Sequence, residues 1–241
     1  MKYILAIILS LLLSAAQAQI FIDKGLIEYQ VVVNNHKAMG EGTWAEMFKD
    51  KIPKLSTTYY QLTFGDNKSI YLFNRRDEKT KSPWFNDNGE DNIWYNDYSS
   101  EKFIQQKNIF GETYILTDSL KNINWKITNE SRVIAGFNCR KAVGVLFDSV
   151  YVFAFYTDEI TVSGGPMSLH GLPGMILGIT IPRMFSSWVA NKVEINGVNY
   201  STINAPTKGK KKKPVELESN IIKATKDWGK YGQQAVWNMY L

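Results

Sequence analysis

The sequence predicts a mainly β protein: a curved, mostly antiparallel sheet, bowl-like or half-barrel, with a few short helices including one at the C-terminus. Three observations predict it. Apolar and polar residues alternate over several short runs, the period of a half-buried strand. Turn-forming groups such as Gly65-Asp66-Asn67 and Asn196-Gly197 punctuate those runs. Strands and helical stretches do not alternate regularly, which disfavours a doubly wound nucleotide-binding fold.

Gly25 to Val33 reads as a strand with Ile27, Tyr29, Val31 and Val33 on one side, ended by Asn34-Asn35. Trp44, Met47, Phe48, Ile52 and Leu55 fall at near-helical spacing and predict a short amphipathic helix weakened by Pro53. Thr58 to Phe64 and Ser69 to Phe73 form an expected hairpin. Arg75 to Asn92 reads as a long polar loop, and Glu101 to Lys107 with Glu112 to Asp118 as a second hairpin about Gly111. Further strands are expected at Ile123 to Thr128, Arg140 to Phe147, Val150 to Thr157, Met175 to Thr180 and Trp188 to Ile195. Asp148-Ser149 is the expected tight link between the second and third of these, and Asn196-Gly197 signals another hairpin. Val215 to Leu241 reads as a helix with Leu217, Ile221 and Ile222 on one face, docked through Trp228 and Trp237.

Residues 1–18 read as a secretory signal peptide: Lys2, an apolar run from Ile4 to Leu13, and small residues at Ala16 and Ala18 before a cleavage point. A membrane anchor is the competing reading, but the run falls short of the roughly 20 apolar residues a span needs. Residues 19–241 are expected to form a single β-rich domain, exported to the periplasm, associated with the outer membrane or secreted, with no transmembrane segment once the signal is removed. At 44% hydrophobic and 21% charged residues, the chain has the means to bury a core. Its single cysteine, Cys139, closes no internal disulfide and reads as a buried small apolar residue.

The net charge of +5 is local. Lys208 and Lys210 to Lys213 lie together among Pro206, Gly209 and Pro214, and without them the part beyond residue 18 is close to neutral. They read as a solvated loop, and nucleic acid is not an expected partner.

The run Gly164-Gly165-Pro166-Met167-Ser168-Leu169-His170-Gly171-Leu172-Pro173-Gly174 leads into Met175-Ile176-Leu177. Pro173 makes Leu172 extended, and Pro173-Gly174 suits the centre of a type II turn. The run reads as a rigid corner between two strands, with a ligand-binding rim as the functional alternative. Here the chain resembles the GLPGLI family, exported proteins of Bacteroidota. Gly171 to Leu177 matches the name-giving motif with Met175 for the usual Leu. Trp125-Lys126-Ile127, Glu130, Ile134-Ala135-Gly136-Phe137, Cys139, Phe155-Tyr156-Thr157, Glu159-Ile160 and Gly165-Pro166 follow the family's order. Thr161 and Leu169 depart from it. The motif residues Gly165, Pro166, Gly171, Leu172, Pro173 and Gly174, with Cys139, are expected to be structural. The family is similar to the bowl-shaped N-terminal domain that precedes a bacterial peptide N-glycanase catalytic domain, and it implies no demonstrated chemistry.

The residues offer little for catalysis. His36 and His170 stand far apart, so no metal spacing appears, and no metal or cofactor is expected. Ser168 and His170 lack a nucleophile elbow. Asp158 and Glu159, being adjacent, face opposite sides of an extended strand. No catalytic residue is assigned. Aromatic residues give the binding signal: Trp84, Trp94, Tyr95 and Tyr98 in or beside the polar loop, with Tyr156 and His170 near the motif, are the candidate ligand-binding residues. The expected function is non-catalytic binding or assembly, with an envelope glycan, peptide, lipid-like ligand or protein as partner. The alternatives are a carboxylate-dependent envelope hydrolase and a purely structural accessory protein.

Overall fold

The computed structural model describes residues 21–81, 88–147 and 149–241. The expected leader, Trp84 and Asp148 lie outside them. Among the described residues, twelve strands form one open sheet. They are β1 (Gly25–Asn34), β2 (Leu55–Gly65), β3 (Lys68–Arg76), β4 (Ile93–Asp97), β5 (Lys102–Ile109), β6 (Glu112–Ser119), β7 (Lys126–Ile134), β8 (Phe137–Leu146), β9 (Val150–Thr157), β10 (Met175–Ile181), β11 (Ser186–Glu194) and β12 (Lys210–Lys212). Across the sheet they run β12-β6-β5-β4-β3-β2-β1-β11-β10-β9-β8-β7. Every neighbouring pair is antiparallel except β12 and β6, which run parallel. Four α-helices accompany them: α1 (Asn35–Met39), α2 (Thr43–Lys49), α3 (Pro214–Ala224) and α4 (Lys230–Tyr240).

Local chemistry explains the hairpins. Asp66-Asn67 joins β2 to β3 with both φ angles near +50°, the mirror-image turn whose twist matches paired strands. Phe110-Gly111 and Ala135-Gly136 do the same for β5–β6 and β7–β8. Asn34 ends β1 by accepting the Lys37 amide, which starts α1. Alternation then sorts the faces. Ile27, Tyr29 and Val31 of β1 point into the core, opposite Leu62, Tyr60 and Thr58 of β2. The row continues through Tyr71 of β3 and Trp94 of β4 on one side and Trp188 of β11 and Ile179 of β10 on the other.

The sheet curls around this face. One apolar cluster unites Tyr60, Leu62 and Trp94 from one arm with Val152, Ala154 and Ile179 from the other. The C-terminal helices fill much of the hollow. Leu217 and Ile221 of α3 and Met239 of α4 pack on Phe103 and Leu116 of β5 and β6, and Trp237 joins the main core. Burying each such side chain stabilises the fold by roughly 1.5–3 kcal/mol.

Several details differ from expectation. The C-terminal helix is two helices: Gly229 has φ +55°, and a Cβ at Gly232 would lie 2.7 Å from the Thr225 carbonyl, so the chain folds back tightly there. Ile222 and Trp228 therefore stay exposed, at 52% each. Asn196-Gly197 turns the chain, with Gly197 at φ +71°, but the 3-10 turn Tyr200–Thr202 follows, so no hairpin forms. Trp94 and Tyr95, expected in or beside the polar loop, stand beside it on β4. The lysine run is itself partly a strand, β12, lying on the edge of β6 with Lys210 donating to Glu112 at 2.6 Å and Lys212 over the Tyr114 ring. No described helix is long and apolar enough to cross a membrane.

Candidate functional site

The run from Ser163 to Gly174 connects β9 to β10 by crossing the inner face. Four hydrogen bonds pin it there. Asn96 donates to the Met167 carbonyl at 2.8 Å, and Ser168 Oγ donates to Asn96 Oδ1 at 2.8 Å while accepting from Gln105 at 2.9 Å. Trp125 donates to the His170 carbonyl at 2.8 Å. Asn96 and Gln105 are both buried, so these bonds also satisfy polar groups that would otherwise be costly inside the fold.

Glycines are required where the backbone passes closest. A Cβ on Gly164 would sit 2.4 Å from the Tyr98 hydroxyl, and one on Gly174, at φ +135°, would sit 2.0 Å from the Thr157 carbonyl oxygen. The turn at Pro173 is tighter than a type II turn. The Gly174 amide returns to the Leu172 carbonyl at 2.7 Å, while the Met175 amide is taken by Ile160. Pairing to the neighbouring segment therefore outcompetes the wider turn. Trp125 lies against Gly144 and beside Gly171, so residues scattered through the motif meet at this corner.

Next to the corner the inner face is not completely filled. A cleft of about 360 Å³ lies between the sheet and α4. Its walls include Tyr60, Tyr71, Trp94 and Trp188 from the strands, Met167 from the crossing loop, and Gln234 and Asn238 from the helix. The Tyr60 and Tyr71 rings stack at 5.1 Å with planes 12° apart, and Trp94 meets Tyr71 edge-on at 5.2 Å. Lys107, buried on β5, holds its ammonium 4.0 Å from the Trp94 ring centre. The Trp94 indole N–H is buried and has no hydrogen-bond partner among the described residues; nor has the Asn108 side-chain oxygen, on the same wall.

Burial raises the Tyr71 and Tyr29 hydroxyls well above the usual phenol range, and neighbouring tyrosines add to it. Among the described residues no Asp or Glu lines this cleft, and no group of three or more His, Cys, Asp or Glu stands together. What the walls offer is nearly buried aromatic surface with amide and indole hydrogen-bonding groups.

Two further clefts adjoin it. One, about 770 Å³, shares Ala38, Gln234 and Asn238 with the first, and Trp228 and Tyr231 line it in the open. Phe110, 58% exposed, meets Trp228 edge-on at 6.0 Å. The other, about 910 Å³, shares Ala38 and Gln234.

The candidates named from sequence fall in different places. Trp94 lines the aromatic cleft. Tyr95, next along β4, faces the opposite side, between Ile70 and Ile104. Tyr98 bonds Ser69 at 2.8 Å beneath Gly164. Tyr156 is buried with the Arg140 guanidinium 5.3 Å from its ring. His170 is half-buried on the crossing loop, 6.3 Å from the Tyr98 ring. Cys139 is fully buried, and burial pushes its thiol up to about 12. Sequence reasoning did not single out Tyr60, Tyr71, Trp188 or Trp228 as cleft residues. The aromatic alternation of β2 and β3 marks the inner face, but the void above it is made by α4.

Fold and site together define a class: an open mixed β-sheet curled around its own C-terminal helices, with an aromatic cleft left between them. Residues 145–178, which contain the Gly171 to Leu177 motif, match the family described as "Protein of unknown function (Porph_ging)". The fold is similar to that of PNGF-II in two crystal forms. One gives a TM-score of 0.53 with 16% identity, covering 82% of this chain and 32% of that one. The other gives 0.51 with 16% identity, covering 90% and 33%. The chain thus spans about a third of the length of PNGF-II. No curated protein matches the chain.

Proposed function

We propose that this chain is an exported cell-envelope protein of the GLPGLI type that binds a glycan in the aromatic cleft on the inner face of its sheet, without catalysis of its own. The carrying observation is the buried Trp94 indole N–H, which finds no partner within the described fold and stands in the wall of a cavity. A buried donor left unpaired costs about 1–3 kcal/mol, a cost that a ligand hydroxyl placed in the cleft would relieve. The surroundings fit a sugar: the nearly buried Tyr60 and Tyr71 pair gives the wall an apolar aromatic part, and Asn108, Gln234 and Asn238 offer amides. The volume falls in the range of small-ligand sites. The exposed Trp228 and Tyr231 extend the same chemistry outward along the adjoining cleft. Export rests on the leader-like residues 1–18 and the motif resemblance.

The test is a glycan array probed with the purified protein, followed by calorimetry on the best ligand. Trp94→Phe keeps an aromatic ring in the wall and removes the donor; roughly tenfold weaker binding is expected, with a folded-state control by circular dichroism for the lost ring volume. An array on which neither neutral nor acidic oligosaccharides bind rejects the reading.

A further inference from the structure

The largest cleft beside the aromatic one has a different character. Its described lining carries three side chains with fixed positive charge, Lys37, Lys49 and Arg183, against one carboxylate, Glu41. Lys49 is bonded to Glu46 at 2.5 Å, so part of its charge is answered. Lys37 and Arg183 are exposed and form no ion pair among the described residues. Arg183 is nonetheless held in place. It donates to the Ser149 carbonyl at 3.2 Å, and the Trp237 ring lies 5.3 Å from its guanidinium. Both partners are uncharged, so among the described residues the guanidinium is oriented without being neutralised. That is the state in which an arginine binds a planar anion best.

This basic cleft meets the aromatic one at Ala38 and Gln234, which line both. A ligand long enough to occupy the two would lay an uncharged ring against Tyr60 and Trp94 and place an anionic group by Arg183 and Lys37.

Resting on the glycan reading above, we infer that the glycan is acidic: a carboxylate-bearing, uronic-acid type of oligosaccharide, whose carboxylate is received by Arg183 and Lys37. A planar carboxylate matches the guanidinium fork, and its charge answers two cations that form no ion pair among the described residues.

The experiment compares an oligogalacturonate with the same chain after carboxyl reduction, by calorimetry at low salt on the full protein. The acidic form is expected to bind about tenfold tighter or more, with the preference shrinking as salt rises. The double substitution Arg183→Gln with Lys37→Gln is expected to abolish the discrimination, so that it binds both forms alike. Both positions are on the surface, and Lys37→Gln alone, which leaves the contact with Trp237 intact, should narrow the preference in the same direction. Equal affinity of the native protein for the acidic and reduced chains overturns this inference and leaves glycan binding standing. A preference that survives unchanged in the double variant also overturns it. Failure of both chains and of the whole array to bind removes the glycan reading beneath it.

Discussion

Cys139 and the buried tyrosines show how the interior sets the chemistry of single residues. The thiol lies in the main core with its sulfur directed at the Phe137 carbonyl at 3.5 Å, and burial raises its pKa from 9.0 to about 12. Only the thiolate is reactive, so a thiol reagent at neutral pH should label the native protein negligibly and label it fully after denaturation. Rapid labelling of the native protein would contradict the burial. The same shift fixes a sign for stability. The unfolded thiol loses its proton near 9 while the folded one keeps it towards 12, so the unfolded state binds fewer protons in that window and stability falls as pH rises. Tyr29, Tyr71 and Tyr98 are all raised, with burial the largest cause, and act in the same direction from pH 10 upward. Denaturant midpoints should therefore drop steeply above about pH 9, with tyrosinate absorbance appearing together with unfolding and not before it. Trp94 was legible from sequence as an aromatic of interest. Tyr60, Tyr71 and Trp188 were not, because alternate aromatics on a strand read equally well as filled core; all three are indeed buried, and only the placement of a helix far away in the chain makes them border a cleft.

Among the elements, the corner before β10 is the most tightly specified. Gly174→Ala would put a methyl group 2.0 Å from the Thr157 carbonyl oxygen at a φ that L side chains avoid. The expected cost is about 3 kcal/mol or more, read as a lowered urea midpoint or failure to fold. Gly111→Ala is the control: φ is +83° there too, but no atom lies within 4 Å of the added carbon, so strain alone should cost about 1–2 kcal/mol. The corner was readable because proline and glycine act locally. The lysine strand β12 was not, since lysine has low strand propensity and the pairing partner is β6, about a hundred residues earlier. Its position gives the charges a purpose: lysines on an edge discourage another chain from pairing there. Replacing Lys210, Lys211 and Lys212 with threonine should preserve the fold and raise self-association, measured by light scattering; unchanged scattering would remove that role.

For the whole molecule, alternation in sequence conveyed the class of fold well, and the curled open sheet follows from inner faces that share one core. Strand order was beyond its reach. Hairpins are adjacent in sequence and announce themselves through turn residues, whereas the seam between β1 and β11 joins segments with nothing local to mark the match. Neither could the sequence show that one helical stretch would break at Gly229 and double back, which is what leaves room for the cleft.

That seam also governs how the molecule comes into being. Leu26 pairs with Glu194 and Val33 with Ser186, so the two arms of the sheet are sewn together by contacts among the longest the chain can make. As the polypeptide emerges from its N-terminus, β1 to β6 have their hairpin partners early, but one flank of β1 stays bare until most of the chain has arrived. Refolding from denaturant should therefore be slow, in the millisecond-to-second range or beyond, and concentration-dependent losses should trace to that waiting flank.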